Sequence, residues 1–203
     1  MSQIALPLSL SRLAGPAAIV VGKGNIGVAD ALASTERWPF RTAILSGPPR
    51  SGKTLFARWF ASEGSGEAID NADSAKETEI FHRWNRAQHD DRPLLLVVDA
   101  GRWDIALPDL KSRMGAALQL HIDPPDDDMA AQLMLSHAAQ RGLALGEGAP
   151  AYLVPRMERS YAAIEKIVAE IDRLSLERKV AATLSVWRDA LEAVQGPEQG
   201  RLL

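Results

Sequence analysis

The octapeptide GPPRSGKT, residues 47–54, has the spacing of a loop that wraps phosphate, with Gly47, Gly52, Lys53 and Thr54 in its fixed positions. In such a loop, backbone N–H groups and the first turn of a helix face the phosphate oxygens. The lysine reaches the terminal phosphates and the threonine hydroxyl ligates magnesium. Pro48, Pro49, Arg50 and Ser51 complete the loop and Leu55 follows it, so residues 47–55 are the candidate nucleotide-binding set. The flanks argue against a chance Gly/Pro turn. RTAILSG, residues 41–47, is an apolar run ending at a turn, as a buried parallel strand does. KTLFARWFASEG then sets Leu55, Phe56, Trp59 and Phe60 at helical spacing and stops at Gly64.

A phosphate-bound magnesium ion also needs a carboxylate, and two strands end in one: EAID at Asp70 and LLLVVD at Asp99. Hydrophobicity alone favours Asp99. The residue after Asp70 is Asn71, at the place where many nucleotide hydrolases carry a second carboxylate that activates water. The metal-binding half of a hydrolytic site is therefore readable here without its water-activating half.

The elements that must hold these residues alternate. The segment SAKETEIFHRWNRAQHDD reads as a helix with Ser74 as N-cap and Glu77 three residues on, a capping box. RPLLLVVDAG, residues 92–101, is the clearest strand, LPDLKSRMGAAL a short helix with Pro108 near its start, and LQLHIDPP the last strand. Alternating strands and helices predict a parallel α/β sheet. From Asp126 to Val194 the period is helical, with four helices and no strand, so the fold class changes from α/β to all-α near residue 125.

Composition narrows the classes. With 203 residues, 46% of them hydrophobic, the chain can bury a full domain and a smaller one. A formal charge of −3 and the lack of any Lys/Arg run argue against strong direct DNA binding. There is no cysteine, and His82, His89, His121 and His137 lack the paired spacing of a zinc site. No apolar run approaches a membrane span and no signal peptide is evident, so a reducing cytoplasm is expected.

The run IDNAD…TEIFHRWNRAQ…RPLLLVVDAGRWDIALPDLKSRM resembles the DnaA-type AAA+ ATPases, and among them the Hda-like regulatory inactivators of DnaA. It is similar, in order, to their Walker B strand, following helix, sensor 1 strand and arginine-bearing box. The resemblance extends from Gln3 to about Leu191 and lacks DnaA's C-terminal DNA-binding domain. It implies a trimmed AAA+ P-loop core followed by an all-α lid, with residues 1–10 a tail, 11–125 the core and 126–203 the lid. It implies ADP or ATP with Mg2+ as ligand, Asp70 as the Walker B metal carboxylate beside Thr54, and Asn71 in place of the catalytic acid. It makes Arg113 an arginine finger reaching nucleotide on a neighbouring subunit, and Arg159 the sensor 2 arginine. Asp99 falls at the sensor 1 position, where a carboxylate would repel a γ-phosphate.

Only 17 positions separate Lys53 from Asp70, room for one helix where an ordinary AAA+ core has an extra strand and helix. The expected sheet thus has four parallel strands in the spatial order 118–122, 42–46, 94–98, 67–70. In QIALPLSL, residues 3–10, the set Gln3, Leu6 and Leu8 resembles the clamp-binding peptide of Hda-like proteins. The resemblance then implies a protein that is anchored to the DNA-loaded sliding clamp (the beta clamp) and presents Arg113 to ATP on DnaA. Its own hydrolysis would be weak, and a homo-oligomer is compatible with it. The rival readings are an autonomous small P-loop ATPase or kinase using Asp99 for its metal, and a nucleotide-gated adaptor in which Arg113 plays no part.

Overall fold

The computed structural model describes residues 19–99 and 103–196. These residues divide into two compact units. One holds Val21–Asp126 with Ser160–Ala162, and the other holds residues 19–20, Asp127–Arg159 and 163–196.

The first unit contains strands β1 (Thr42–Ser46), β2 (Glu67–Ile69), β3 (Leu94–Val97) and β4 (Leu118–His121) and helices α1 (Ile26–Ala33), α2 (Lys53–Ser62), α3 (Glu77–His89) and α4 (Pro108–Ala116). The strands form one sheet in the order β2-β3-β1-β4, and every pairing is parallel. This is the expected four-stranded order, with β2 at an edge. The central strands are apolar throughout because both faces are covered: Ala43 and Leu45 of β1 and Leu94, Leu95 and Leu96 of β3 have no measurable exposure. The single helix α2 makes the crossover from β1 to β2 and buries Phe56 and Phe60.

Two details depart from the sequence reading. Helix α1 has no counterpart in it, yet it buries Val28, Ala29 and Leu32, and Trp38 beyond it stacks on Phe60 with ring centroids 5.4 Å apart. Ser74 does not cap α3. Asn71 enters left-handed backbone (φ 51°) and starts a 3-10 turn over Ala72–Ser74; Ala75 and Lys76 are extended, and the helix begins at Glu77. A capping box needs the Glu77 carboxylate to turn back on its own helix, and that carboxylate instead accepts the N–H groups of Ala106 and Leu107.

The second unit is helical, with α5 (Asp127–Gln140), α6 (Ala149–Leu153), α7 (Tyr161–Arg178, its first two residues counted with the sheet) and α8 (Leu184–Gln195). The second of the four expected helices, α6, is short and passes at Val154 into a 3-10 turn around Pro155, which cannot donate in a helix interior. Met134, Leu153, Ile164, Ile167, Val168, Ile171 and Val186 form its core. One isolated bridge, Leu145 to Ala182, is the sole extended pairing among its described residues. Among the described residues no helix is long and apolar enough to cross a membrane.

Candidate functional site

The P-loop joins β1 to α2 as the motif requires. Gly52 adopts φ +90° at the N-cap of α2, a conformation that side-chain-bearing residues rarely take. A Cβ at Gly47 would lie 2.9 Å from Ile122 Cβ and 3.1 Å from Ile122 O, so the loop's start passes too close to the end of β4 for any larger residue. Lys53 is only 6% exposed. Its ammonium donates to Gly47 O at 3.0 Å and Pro48 O at 3.1 Å, and Asp99 Oδ1 lies 3.0 Å away. Ser51 Oγ is buried and has no hydrogen-bond partner among the described residues. A buried ammonium held by its own loop's carbonyls and an orphaned buried hydroxyl in the same loop are groups that phosphate oxygens would satisfy. The residues present therefore fit a nucleotide's phosphates.

The two carboxylate candidates separate by strand. Asp99 follows β3, the neighbour of β1, and is the one that pairs with Lys53; its side chain is 68% exposed. Its backbone N–H donates to Asp73 Oδ2 at 3.1 Å, which ties the end of β3 to the turn after β2. Asp70 ends the edge strand β2, is exposed, and accepts the N–H of Asn71 at 3.1 Å. Asn71 itself is explained by its backbone: asparagine is among the few non-glycine residues enriched in left-handed conformation. No cluster of three or more His, Cys, Asp or Glu side chains that could hold a metal occurs among the described residues. Magnesium in phosphate sites usually takes one or two protein groups together with phosphate and water, so Thr54 with a single carboxylate is sufficient.

Arg113 lies in the last turn of α4 and is fixed by α3. Its guanidinium stacks over Phe81 at 4.4 Å and over Trp84 at 4.2 Å from the ring centroids, and donates to Asn85 Oδ1. The indole N–H of Trp84 in turn donates to the buried Thr42 Oγ1 at 3.1 Å, anchoring that ring to β1. Sequence reasoning singled out the arginine but not its three partners; their spacing of three and four residues along α3 was the available signal.

Arg159 lies in the helical unit and forms a two-pronged ion pair with Asp127, Nε to Oδ1 at 2.9 Å and Nη2 to Oδ2 at 3.3 Å. Gln3, Leu6 and Leu8 lie outside the described residues. The sequence reading also missed a turn beside the P-loop. Gly22 N donates to Asn25 Oδ1, Asp123 N donates to Gly24 O at 2.8 Å, and Tyr161 Oη donates to Asp123 O at 2.9 Å. Burial pushes the Tyr161 hydroxyl up to about 12, helped by the carboxylates of Asp123 and Asp126.

Comparison with solved structures gives the fold the same kin. Domain III of the Thermotoga maritima replication initiation protein DnaA superposes with a TM-score of 0.69 at 16% identity, over 88% of this chain and 95% of that one. Replication initiator DnaA bound to AMPPCP and single-stranded DNA gives 0.61 at 16% identity, over 84% of this chain and 67% of that one. The FIGL-1 AAA domain in complex with ADP gives 0.61 at 16%, over 86% and 82%. At that identity the likeness speaks to the AAA+ fold. Residues 126–190 match the family model of the Hda lid domain. A P-loop sheet of trimmed AAA+ order thus precedes a helical segment that matches the Hda lid domain over residues 126–190, which gives the chain the AAA+ fold with an Hda-type lid.

Proposed function

We propose that the protein is a nucleotide-binding regulator of replication initiation that, together with the DNA-loaded sliding clamp, promotes hydrolysis of ATP bound to DnaA. The observation that carries this reading is Arg113, a cation held in place by ring faces and a neutral amide, so that its charge stays available to an anion brought by a partner. A guanidinium supplied in this way stabilises the charge that develops on the transferring phosphoryl group.

In this reading residues 47–55 would hold ADP or ATP, with Lys53 for the terminal phosphates, Thr54 and Asp70 for Mg2+, and Arg159 in the sensor 2 role. The bound nucleotide supplies the charge that organises the loop, and Mg2+ supplies charge neutralisation. With Asn71 in the place of a general base, this chain's own turnover is slow, and the water-activating group is DnaA's. Gln3, Leu6 and Leu8 form the clamp contact. One observation favours the rival autonomous ATPase: Asp99, not Asp70, is the carboxylate that pairs with Lys53.

The test is single-turnover hydrolysis of ATP preloaded on DnaA. Acceleration is expected only when this protein and clamp loaded on DNA are both present. No acceleration in the complete mixture, or steady turnover near 1 s⁻¹ by this protein alone, a rate at the low end of ordinary enzymes, would overturn the reading.

A further inference from the structure

Helix α4 is restrained at both ends by the same neighbour. Its C-terminal turn is held through Arg113 on Phe81, Trp84 and Asn85 of α3. Its N-terminal end has no side-chain cap of its own, because the N-cap residue is Leu107. The cap comes from α3 instead: Ala106 N donates to Glu77 Oε1 at 2.8 Å and Leu107 N donates to Glu77 Oε2 at 2.7 Å, one amide to each carboxylate oxygen. Glu77 is the first residue of α3, so its negative charge lies at the N-terminal, partly positive ends of two helices at once. Ile105, one residue ahead of the capped amides, is buried and holds the approach to α4 in the core.

We infer that Glu77 is a positioning residue for Arg113, fixing where α4 begins and thereby where the guanidinium stands when a partner's nucleotide arrives. The inference rests on the reading of Arg113 as a finger acting in trans. Arg113 lies six positions after Leu107, about 9 Å along a helix axis. A slide or tilt at the capped end therefore reaches the guanidinium with little loss, and a misplacement of about 1 Å can cost on the order of a hundredfold in rate. The stacked rings and Asn85 fix the guanidinium's plane. The Glu77 cap fixes the helix that carries it.

Glu77→Ala, Glu77→Gln and Arg113→Ala, each in the full chain, separate the possibilities when assayed for acceleration of ATP hydrolysis on DnaA with loaded clamp and for amide hydrogen exchange at Ala106 and Leu107. Glu77→Ala should lower the rate at saturating protein by about 10- to 100-fold while shifting the half-saturating concentration by less than about threefold. It should also release both amides to fast exchange. Glu77→Gln keeps one acceptor oxygen but sets its NH2 against the second amide, so it should recover part of the rate and keep one of the two amides protected; recovery of neither would refute the cap's role. Melting temperature checks that each variant is folded, and rates are compared per folded molecule. If Arg113→Ala is inactive but Glu77→Ala accelerates within twofold of the parent, Glu77 has no positioning role. A slow Glu77→Ala whose two amides stay protected also refutes it. If Arg113→Ala accelerates like the parent, the finger reading falls and takes this inference with it.

Discussion

Lys53 and Arg113 are cations of the same unit held in opposite ways. Lys53 is buried and gripped by two carbonyl oxygens and the Asp99 carboxylate, so a phosphate must compete for it. Arg113 is half-buried and gripped by two aromatic faces and a neutral amide oxygen, none of which cancels its charge. Partners that carry full or partial negative charge suit a cation that acts on a ligand of its own site. Partners that orient without neutralising suit a cation kept for someone else's anion. Under the proposed function the two cations would serve two different nucleotides, and this chain could then lack a general base at position 71 without losing that chemistry.

The sharpest break of that contrast is at Arg113. Arg113→Ala should reduce acceleration of DnaA-bound ATP hydrolysis by about a thousandfold or more, the usual worth of an arginine finger, with nucleotide and clamp affinity unchanged in direct titrations. Arg113→Lys should remain severely impaired, because an ammonium lacks the planar stacking surface that Phe81 and Trp84 grip. Wild-type rates in either variant would make Arg113 a surface charge.

Lys53→Ala should fold, since among the described residues its ammonium bonds its own loop and Asp99, yet lose affinity for ADP and ATP by at least about tenfold, one lost charged contact being worth about 1.5–3 kcal/mol. Unchanged ADP affinity by fluorescence titration would remove the nucleotide half of the comparison.

A third cut asks whether the clamp contact is independent of both cations. Replacing Leu6 and Leu8 by alanine should weaken clamp binding at least about tenfold, given roughly 1.5–3 kcal/mol per fully buried apolar side chain. The melting temperature should hardly move. A large fall in melting temperature with unchanged clamp affinity would make QIALPLSL part of the protein's own core.

The smallest effect concerns the turn beside the P-loop. Tyr161→Phe deletes the hydrogen bond to Asp123 O and should cost about 1 kcal/mol. Tyr161 titrates near 12 in the folded protein against about 10 unfolded. Its contribution is therefore fully present below about pH 10 and is lost as pH rises toward 12. Of the two tyrosines, one should show a delayed ultraviolet tyrosinate transition that Tyr161→Phe removes.

The spatial order of the strands came from the AAA+ resemblance; the sequence by itself determined the phosphate loop, the alternation of strands and helices, and the change from an α/β to an all-α region. Those rest on local patterns: fixed Gly and Lys positions, strand-length apolar runs and helical periodicity, each readable without knowing what lies across the fold. The short interval between Lys53 and Asp70 likewise dictated a sheet with one strand fewer, because a parallel crossover has a minimum length. Contacts distant in sequence were decided by tertiary structure alone. Ser74 and Glu77 have the spacing of a capping box, but Glu77 finds better-placed donors 29 and 30 residues on, which no local pattern can announce. Hydrophobicity favoured Asp99 without giving a reason; strand adjacency supplies it, because β3 lies beside β1 and β2 does not. Helix α1 escaped notice because one short amphipathic stretch among glycines carries little periodic signal, and only burial against the sheet's flank makes it hold.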